Sequence, residues 1–249
     1  MILLSILLAT LAGGVLSVLA AASLSLTVLG RWAPRLVSFS VGVLLGAAFL
    51  HLIPEASHVL DPQRVGATVL AGLFLFFALE KSALWRHDHA HGGHSHATSH
   101  PHSPLGLMVV LGDGLHNFVD GVLIAAAFLA DPALGWATTL AVIAHEIPQE
   151  VGDFMVLLDA GYGRARALAL NVLSSLGSVL GGVLGWFALR GVSDVIPYAL
   201  ALAAASFIYI AVADLVPALQ RHRRPLDFAA QFALLSSGVG VVLLGAHSH

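Results

Sequence analysis

Two short motifs carry groups that can bind a metal ion: HNFVDG at positions 116–121 and HEIPQE at positions 145–150. His116 lies four residues before Asp120, so the two side chains share one face of a helix. The same spacing pairs His145 with Gln149. Pro148 removes a backbone donor, so we expect the second helix to kink or open there. The other candidate ligands are Asn117, Glu146 and Glu150, with Asp113 and Asp153 at the edges of the clusters.

The sequence around the motifs is that of a membrane protein. The chain is 58% hydrophobic and 10% charged, and its mean hydropathy is +0.90, whereas a soluble domain has about 25% charged residues. The net charge of −3 gives no basic surface for nucleic acid. A charged side chain at the centre of a membrane helix costs about 2.5–3.5 kcal/mol. The polar groups of the motifs therefore need to be neutralised, paired or bound to a ligand.

The donor types favour a divalent first-row metal ion as that ligand. The motifs offer imidazole nitrogen and carboxylate or amide oxygen, and the chain has no cysteine. Such mixed ligands suit Zn²⁺, Fe²⁺, Mn²⁺, Co²⁺ or Ni²⁺. Two alternatives stay open at this point: interhelical hydrogen bonding without a ligand, and a proton relay.

Eight apolar windows are long enough to cross a bilayer, which predicts an all-α, polytopic bundle of eight transmembrane helices in a single domain over residues 1–249. Most of the Lys and Arg residues fall in connections on one side, and only Arg64 and Arg190 fall on the other. The positive-inside rule then places both termini outside and the segment 87–103 in the cytoplasm. The windows are 2–29, 36–58, 65–84, 104–129, 133–158, 164–189, 195–219 and 228–246.

A weak internal repeat is present in helices 2 and 7. His51 lies three residues before Pro54, and Asp214 lies three residues before Pro217. The two helices run in opposite directions, as expected for inverted repeats that flank helices 4 and 5 in a transporter.

The segment 87–103 is rich in histidine, glycine, serine and proline, which predicts a disordered loop. Its alternating histidines can chelate metal, because neutral imidazoles are common near neutral pH. The loop either captures metal for regulation or is a solvated linker with little effect on transport. Its histidines are His87, His89, His91, His94, His96, His100 and His102.

The two motifs resemble the HNFxDG and HEIPHE signatures of the Zrt/Irt-like (ZIP) family of divalent metal transporters. The sequences FLHLIPE at 49–55 and IYIAVADLVPAL at 208–219 are also similar to helices 2 and 7 of that subfamily. The resemblance implies eight helices, a two-metal site between helices 4 and 5, a homodimer, and an elevator-type movement. In that movement helices 1, 4, 5 and 6 shift against helices 2, 3, 7 and 8.

The resemblance also implies how the ligands are shared. One metal ion takes His116, Asp120, His145 and Gln149, with His51 reaching in from helix 2. The second takes Asn117, Glu146 and the shared Asp120, and Glu150 supports the site. The chain departs from the family pattern in two places. Gln149 replaces the second histidine of the helix 5 signature, and helix 6 has no carboxylate, which puts strict zinc preference and the second ion in doubt.

These observations predict a multi-pass transporter in the plasma or inner membrane that imports Zn²⁺, or Fe²⁺, Mn²⁺ or Cd²⁺, from the lipid-embedded site. The metal is the transported substrate, and no cofactor or enzyme activity is expected. The alternatives are an intramembrane metallohydrolase, a metal- or proton-sensing receptor, and an exporter. HEIPQE lacks the second histidine of the HExxH zinc-protease helix, which disfavours the hydrolase.

Overall fold

The computed structural model describes residues 1–25, 29–90, 104–220 and 225–246, which form helices joined by short turns. Consecutive segments join into continuous helices, which we number α1 to α8. They are α1 (Ile2–Leu11, Ala12–Leu16 and Ser17–Ser25), α2 (Leu29–Ala47, Ala48–Leu52 and Ile53–Ser57), α3 (Pro62–Ala90), α4 (Pro104–Ala130), α5 (Pro132–Asp159), α6 (Arg164–Leu189), α7 (Ile196–Tyr209, Ile210–Leu215 and Val216–Gln220, after a 3₁₀ turn Ser193–Val195) and α8 (Pro225–Ala246).

Six of these helices contain stretches long and apolar enough to cross a membrane: Ile2–Ser23, Arg35–Ser57, Pro62–Leu79, Val109–Ala130, Arg164–Leu189 and Ser193–Leu215. The predicted class, an all-α membrane protein, is confirmed at this level. Helix α5 falls outside the six because its polar motif interrupts the apolar run, and the apolar stretch of α8, Phe228–Leu244, is shorter. Eight crossings therefore remain a prediction.

A single residue connects α4 and α5, so the two motif-bearing helices form a tight antiparallel hairpin. Asp131 is the N-cap of α5, and its Oδ1 accepts hydrogen bonds from the backbone nitrogens of Ala133 at 2.8 Å and Leu134 at 3.0 Å. Pro132 occupies the first turn, where its missing N–H costs nothing. This turn sets the register in which the motifs face each other.

Glycines allow α6 to pack directly on the backbone of α4. A Cβ atom at Gly121 would lie 1.9 Å from the carbonyl oxygen of Ser178, and one at Gly181 would lie 1.9 Å from that of Phe118. Any side chain at these positions would force the helices apart. The remaining packing places α1 against α5 and α6, α2 between α5 and α8, and α3 against α7.

Helices α2 and α7 share a local irregularity at the predicted repeat. Each contains a π-helical segment, Ala48–Leu52 in α2 and Ile210–Leu215 in α7, and each segment precedes a proline. Proline cannot donate the helical hydrogen bond, and π segments are often found at functional positions. The segments include His51 and Asp214. The inverted repeat itself stays a prediction.

The predicted histidine-rich loop falls largely outside the described residues. Helix α3 continues through Ala90, beyond the predicted end of its span at 84, so the backbone at His87 and His89 is helical. Their side chains, and all of residues 91–103, lie outside the described part of the chain.

Candidate metal centre

Four side chains of the two motifs meet between α4 and α5: His116, Asp120, His145 and Glu146. Each offers one ligand atom, and these atoms all lie within 4.8 Å of one another. Asp120, His145 and Glu146 are buried, and the side chain of His116 is 25% exposed. The distances from His145 Nε2 are 3.3 Å to His116 Nε2, 3.1 Å to Asp120 Oδ2 and 3.6 Å to Glu146 Oε1. Those from His116 Nε2 are 3.8 Å to Asp120 Oδ2 and 3.4 Å to Glu146 Oε1.

These distances have the dimensions of a tetrahedral metal site. Zinc binds histidine nitrogen and carboxylate oxygen at about 2.0–2.2 Å, which separates two ligands of a tetrahedron by about 3.4 Å. The five measured separations run from 3.1 to 3.8 Å around that value. Five of the six edges of a tetrahedral site therefore have the expected length, and the sixth, between Asp120 and Glu146, is below 4.8 Å.

The backbone of α5 orients His145 toward this centre. His145 Nδ1 lies 2.9 Å from the carbonyl oxygen of Ala141 and donates its proton there. Nε2 then has its lone pair available for the cluster, as is typical of histidines that bind metals. The imidazole of His116 meets it edge-on, with ring centres 5.5 Å apart.

The carboxylates of the cluster lack ordinary hydrogen-bond partners. Among the described residues, no hydrogen bond reaches either side-chain oxygen of Asp120 or Glu146, although both side chains are fully buried. Buried carboxylate oxygens without donors are costly unless a cation neutralises them. The arrangement therefore fits a bound cation better than a structural hydrogen-bond network.

A second group of carboxylates adjoins the first. Asp113, Glu146 and Glu150 are all buried, and each offers an oxygen within 4.8 Å of the others. Asn117 and Gln149 donate their amide hydrogens to Asp113 Oδ1, at 3.0 and 3.4 Å. Sequence reasoning placed Asp113 only at the edge of its cluster. The sequence does pair Asp113 with Asn117, four residues later on the same face of α4, but it does not show that Glu146 and Glu150 lie beside Asp113.

The structure does not bring His51 to this centre. His51 Nε2 lies 3.2 Å from the carbonyl oxygen of Val242 in α8 and donates there. Asp153 lines the neighbouring cavity but belongs to neither group of ligand atoms. The expectation that His51 contributes a ligand therefore has no support in this conformation.

A contact that the sequence did not indicate lies behind the centre. Pro148 has no N–H, so the carbonyl oxygen of Ala144 in α5 lacks its helical donor. The hydroxyl of Ser40 in α2 donates a hydrogen bond to this oxygen. Ala144 directly precedes His145, so Ser40 holds the backbone from which a ligand projects.

A cavity of about 570 Å³ leads away from one side of the centre. His116, His145 and Gln149 line it, together with residues of α2, α3 and α7 such as Phe76 and Asp214. These positions lie in the halves of the helices nearer to the ends that carry most of the Lys and Arg residues. The opposite halves pack into an apolar core that includes Leu52, Ile124, Phe128, Val142 and Leu200. The cavity therefore lies on the side of the centre nearer the basic helix ends, and the apolar core lies on the other side.

Comparison with known proteins identifies the family. A sequence model described as the ZIP zinc transporter family matches residues 1–105 and 86–246. The chain belongs to the ZIP zinc transporter family. Zinc transporter ZIP13 of Pongo abelii is 35% identical over 234 residues, which cover 86% of this chain and 67% of that protein.

Other zinc transporters are similar to this chain at comparable identity. Zinc transporter foi of Drosophila melanogaster is 41% identical over 168 residues, covering 65% of this chain and 24% of that protein. Zinc transporter ZIP4 of Homo sapiens is 32% identical over 252 residues, which cover 76% of this chain and 39% of that protein. Membership in ZIP, together with the apolar helices, makes the chain a multi-pass membrane protein of a transporter family and not an enzyme.

Proposed function

We propose that this protein imports divalent transition metal ions, Zn²⁺ first among them, through the centre between α4 and α5. The observation that carries the proposal is the set of five ligand separations from 3.1 to 3.8 Å, which match five of the six edges of one tetrahedral site. The family membership and the zinc transporters among its relatives support the same substrate class.

The position of the cavity supports inward release. With the basic connections in the cytoplasm, the cavity beside His116 and His145 opens to the cytoplasm, and the apolar core separates the centre from the outside. A dication entering across about 100 mV, negative inside, gains roughly 4.6 kcal/mol. Uptake therefore needs no second energy source.

An elevator-type movement would carry the centre past the apolar core. In this mechanism α1, α4, α5 and α6 move together, since α4 and α6 are joined by direct backbone contact at Gly121 and Gly181. The hydrogen bond from Ser40 to Ala144 crosses from α2 to α5 and would break during the movement. Large apolar side chains on the outer faces of α3, α6 and α8, including Phe74, Leu180 and Phe232, are exposed and suit contact with lipid. A homodimer in the membrane remains part of the proposal.

The donor set leaves the metal preference broader than zinc. The four central ligands are two imidazoles and two carboxylates. Gln149 supplies an amide where the family signature has histidine, and its Nε2 is directed to Asp113. A centre with fewer imidazoles accepts Fe²⁺ and Mn²⁺ more readily.

Uptake into proteoliposomes tests the proposal. Wild-type protein and Asp120→Ala would be compared for uptake of Zn²⁺, Fe²⁺, Mn²⁺ and Cd²⁺ under an imposed potential, with Asp194→Ala as the matched control, since Asp194 is exposed and remote from the centre. We expect saturable uptake by the wild type and the control, and none by Asp120→Ala. Tight binding of metal without flux of any ion would refute transport and favour a metal-sensing receptor.

A further inference from the structure

A groove of about 410 Å³ lies between the end of α2 and the first half of α3, away from the metal centre. Ile53 and Ser57 line it from α2. The lining from α3 is a stripe along one face of the helix, because its members follow one another at steps of three and one residues. The stripe consists of Pro62, Val65, Gly66, Val69, Leu70 and Leu73.

Helix α3 lies at the edge of the bundle, so the groove faces the lipid. Of its span Pro62–Leu79, 11% is buried, against 39–56% in the other five candidate spans. Leu70 in the groove is 54% exposed. A Cβ atom added at Gly66 would have no neighbour within 4 Å among the described residues, apart from the backbone of its own helix. The groove is therefore open sideways to the hydrocarbon of the bilayer.

The length and chemistry of the groove match one acyl chain. Pro62 and Leu73 are eleven residues apart, which is about 16 Å along α3. The hydrocarbon core of a bilayer is about 30 Å thick, so one leaflet contributes about 15 Å. All the lining residues except Ser57 are apolar, and Ser57 donates its hydroxyl proton to the carbonyl oxygen of Ile53 in its own helix. The groove thus suits a hydrocarbon chain that spans one leaflet.

Charged side chains of both signs lie at the end of the groove nearest the connection between α2 and α3. Arg64 Nε is 2.9 Å from Asp61 Oδ2, and His58 Nδ1 is 3.8 Å from Glu55 Oε2. The side chain of Arg64 is 66% exposed, and its guanidinium has five N–H donors, so the bond to Asp61 leaves others available. One guanidinium and two carboxylates at this end can accept a phosphate and an ammonium group together.

We propose that the groove between α2 and α3 binds one zwitterionic glycerophospholipid, with an acyl chain along the stripe, the phosphate at Arg64 and the ammonium group at Asp61 and Glu55. Charge-assisted hydrogen bonds from arginine to phosphate are among the stronger polar contacts. The lipid joins α3, which packs mainly on α7, to the end of α2. Lipid binding does not depend on the proposed transport, since the groove and the metal centre share no residue among those described.

Native mass spectrometry of the purified full-length protein tests the proposal. Delipidated protein in detergent would be titrated with phosphatidylethanolamine or phosphatidylglycerol of the same chain length. We expect one phosphatidylethanolamine to bind per chain of the wild type. Phosphatidylglycerol should bind more weakly, because its net negative charge would lie beside two carboxylates.

Gly66→Leu tests the part of the groove that takes the acyl chain. The leucine side chain would displace about two methylene groups, and each buried methylene is worth about fourfold in affinity. The variant should therefore bind phosphatidylethanolamine at least about tenfold more weakly than the wild type. Gly240→Leu on α8 is the matched control, since a Cβ there also has open space, and it should bind as the wild type does.

Two exposed substitutions test the headgroup end. Arg64→Gln should weaken the binding of both lipids, because both carry the phosphate. Glu55→Gln should reduce the preference for phosphatidylethanolamine over phosphatidylglycerol, because it removes a negative charge that only the ammonium group favours. Arg64→Gln also serves as the second variant if Gly66→Leu does not fold.

Three results would overturn the proposal. Equal lipid binding by the wild type, Gly66→Leu and Arg64→Gln would mean that the lipid is bulk lipid around the bundle. A wild type that binds the two lipids equally would remove the headgroup assignment. A Gly66→Leu protein that loses dimers and keeps its lipid would assign the groove to a second copy of the chain.

Discussion

Replacing Ser40 with alanine tests whether the contact between α2 and α5 supports the metal centre. The carbonyl oxygen of Ala144 has no helical donor because Pro148 lacks an N–H, and the Ser40 hydroxyl hydrogen-bonds to it. Ser40 is 1% exposed, so water does not readily replace the lost hydroxyl. The variant therefore leaves a carbonyl oxygen without its donor beside His145.

The size of the effect follows from the cost of an unsatisfied acceptor. Leaving a buried carbonyl without a donor costs about 1–3 kcal/mol. The Ser40 hydroxyl has one proton and also lies 2.9 Å from the carbonyl oxygen of Leu36, so the two bonds compete. We therefore take the lower part of the range, about 1–2 kcal/mol, which in a chain of this size corresponds to a fall in melting temperature of about 2–8 °C.

Thermal unfolding of the purified protein in one detergent measures this fall. Ser57→Ala is the matched control, because Ser57 lies on the same helix, is exposed, and donates only to the carbonyl oxygen of Ile53 at 2.7 Å. The control should stay within about 0.5 kcal/mol of the wild type. If Ser40→Ala and Ser57→Ala unfold at the same temperature, the interhelical bond contributes nothing and the reasoning is wrong.

Three further predictions concern the centre, the packing of α4 and the loop. His145→Ala should lower uptake at least about 100-fold in a folded protein, because loss of a supporting partner alone costs 10–100-fold in metal affinity. The control His58→Ala changes an exposed histidine and should transport normally. Equal uptake by the two variants would show that the ligands are misassigned. Gly121→Ala should destabilise the protein by about 1–3 kcal/mol in thermal unfolding, since its Cβ would meet a carbonyl oxygen of α6 at 1.9 Å. The control Gly112→Ala adds a Cβ in open space and should leave the unfolding temperature unchanged. Deleting residues 87–103 should change the apparent affinity in an uptake assay more than the maximal rate, and a large loss of maximal rate would contradict that role.

The helices and the ligand types were predictable because local chemistry determines them. Apolar runs long enough to cross a bilayer form helices, since backbone groups in lipid must be satisfied within the segment. The positions of the turns follow from Pro, Gly and charge, as at Asp131 and Pro132. Four of the expected ligands, His116, Asp120, His145 and Glu146, do meet in the structure.

Contacts between distant residues were not predictable in the same way. The sequence placed Asp113 at an edge and His51 in the site, but the packing puts Asp113 against Glu146 and Glu150 and directs His51 to α8. The donor for the carbonyl that Pro148 frees could have been any nearby polar side chain, and the packing of α2 on α5 makes it Ser40.

The sequence by itself determined that this is a helical membrane protein with two motifs able to bind a metal ion, because hydropathy and helical spacing are properties of neighbouring residues. Only the tertiary structure decided which side chains meet at the candidate centre and on which side of it the cavity lies. Both features depend on how closely α4, α5 and α6 pack. The close packing of α4 on α6 is possible because Gly121 and Gly181 have no side chains. Separations of a few ångströms between residues tens of positions apart are set by packing and not by local pattern.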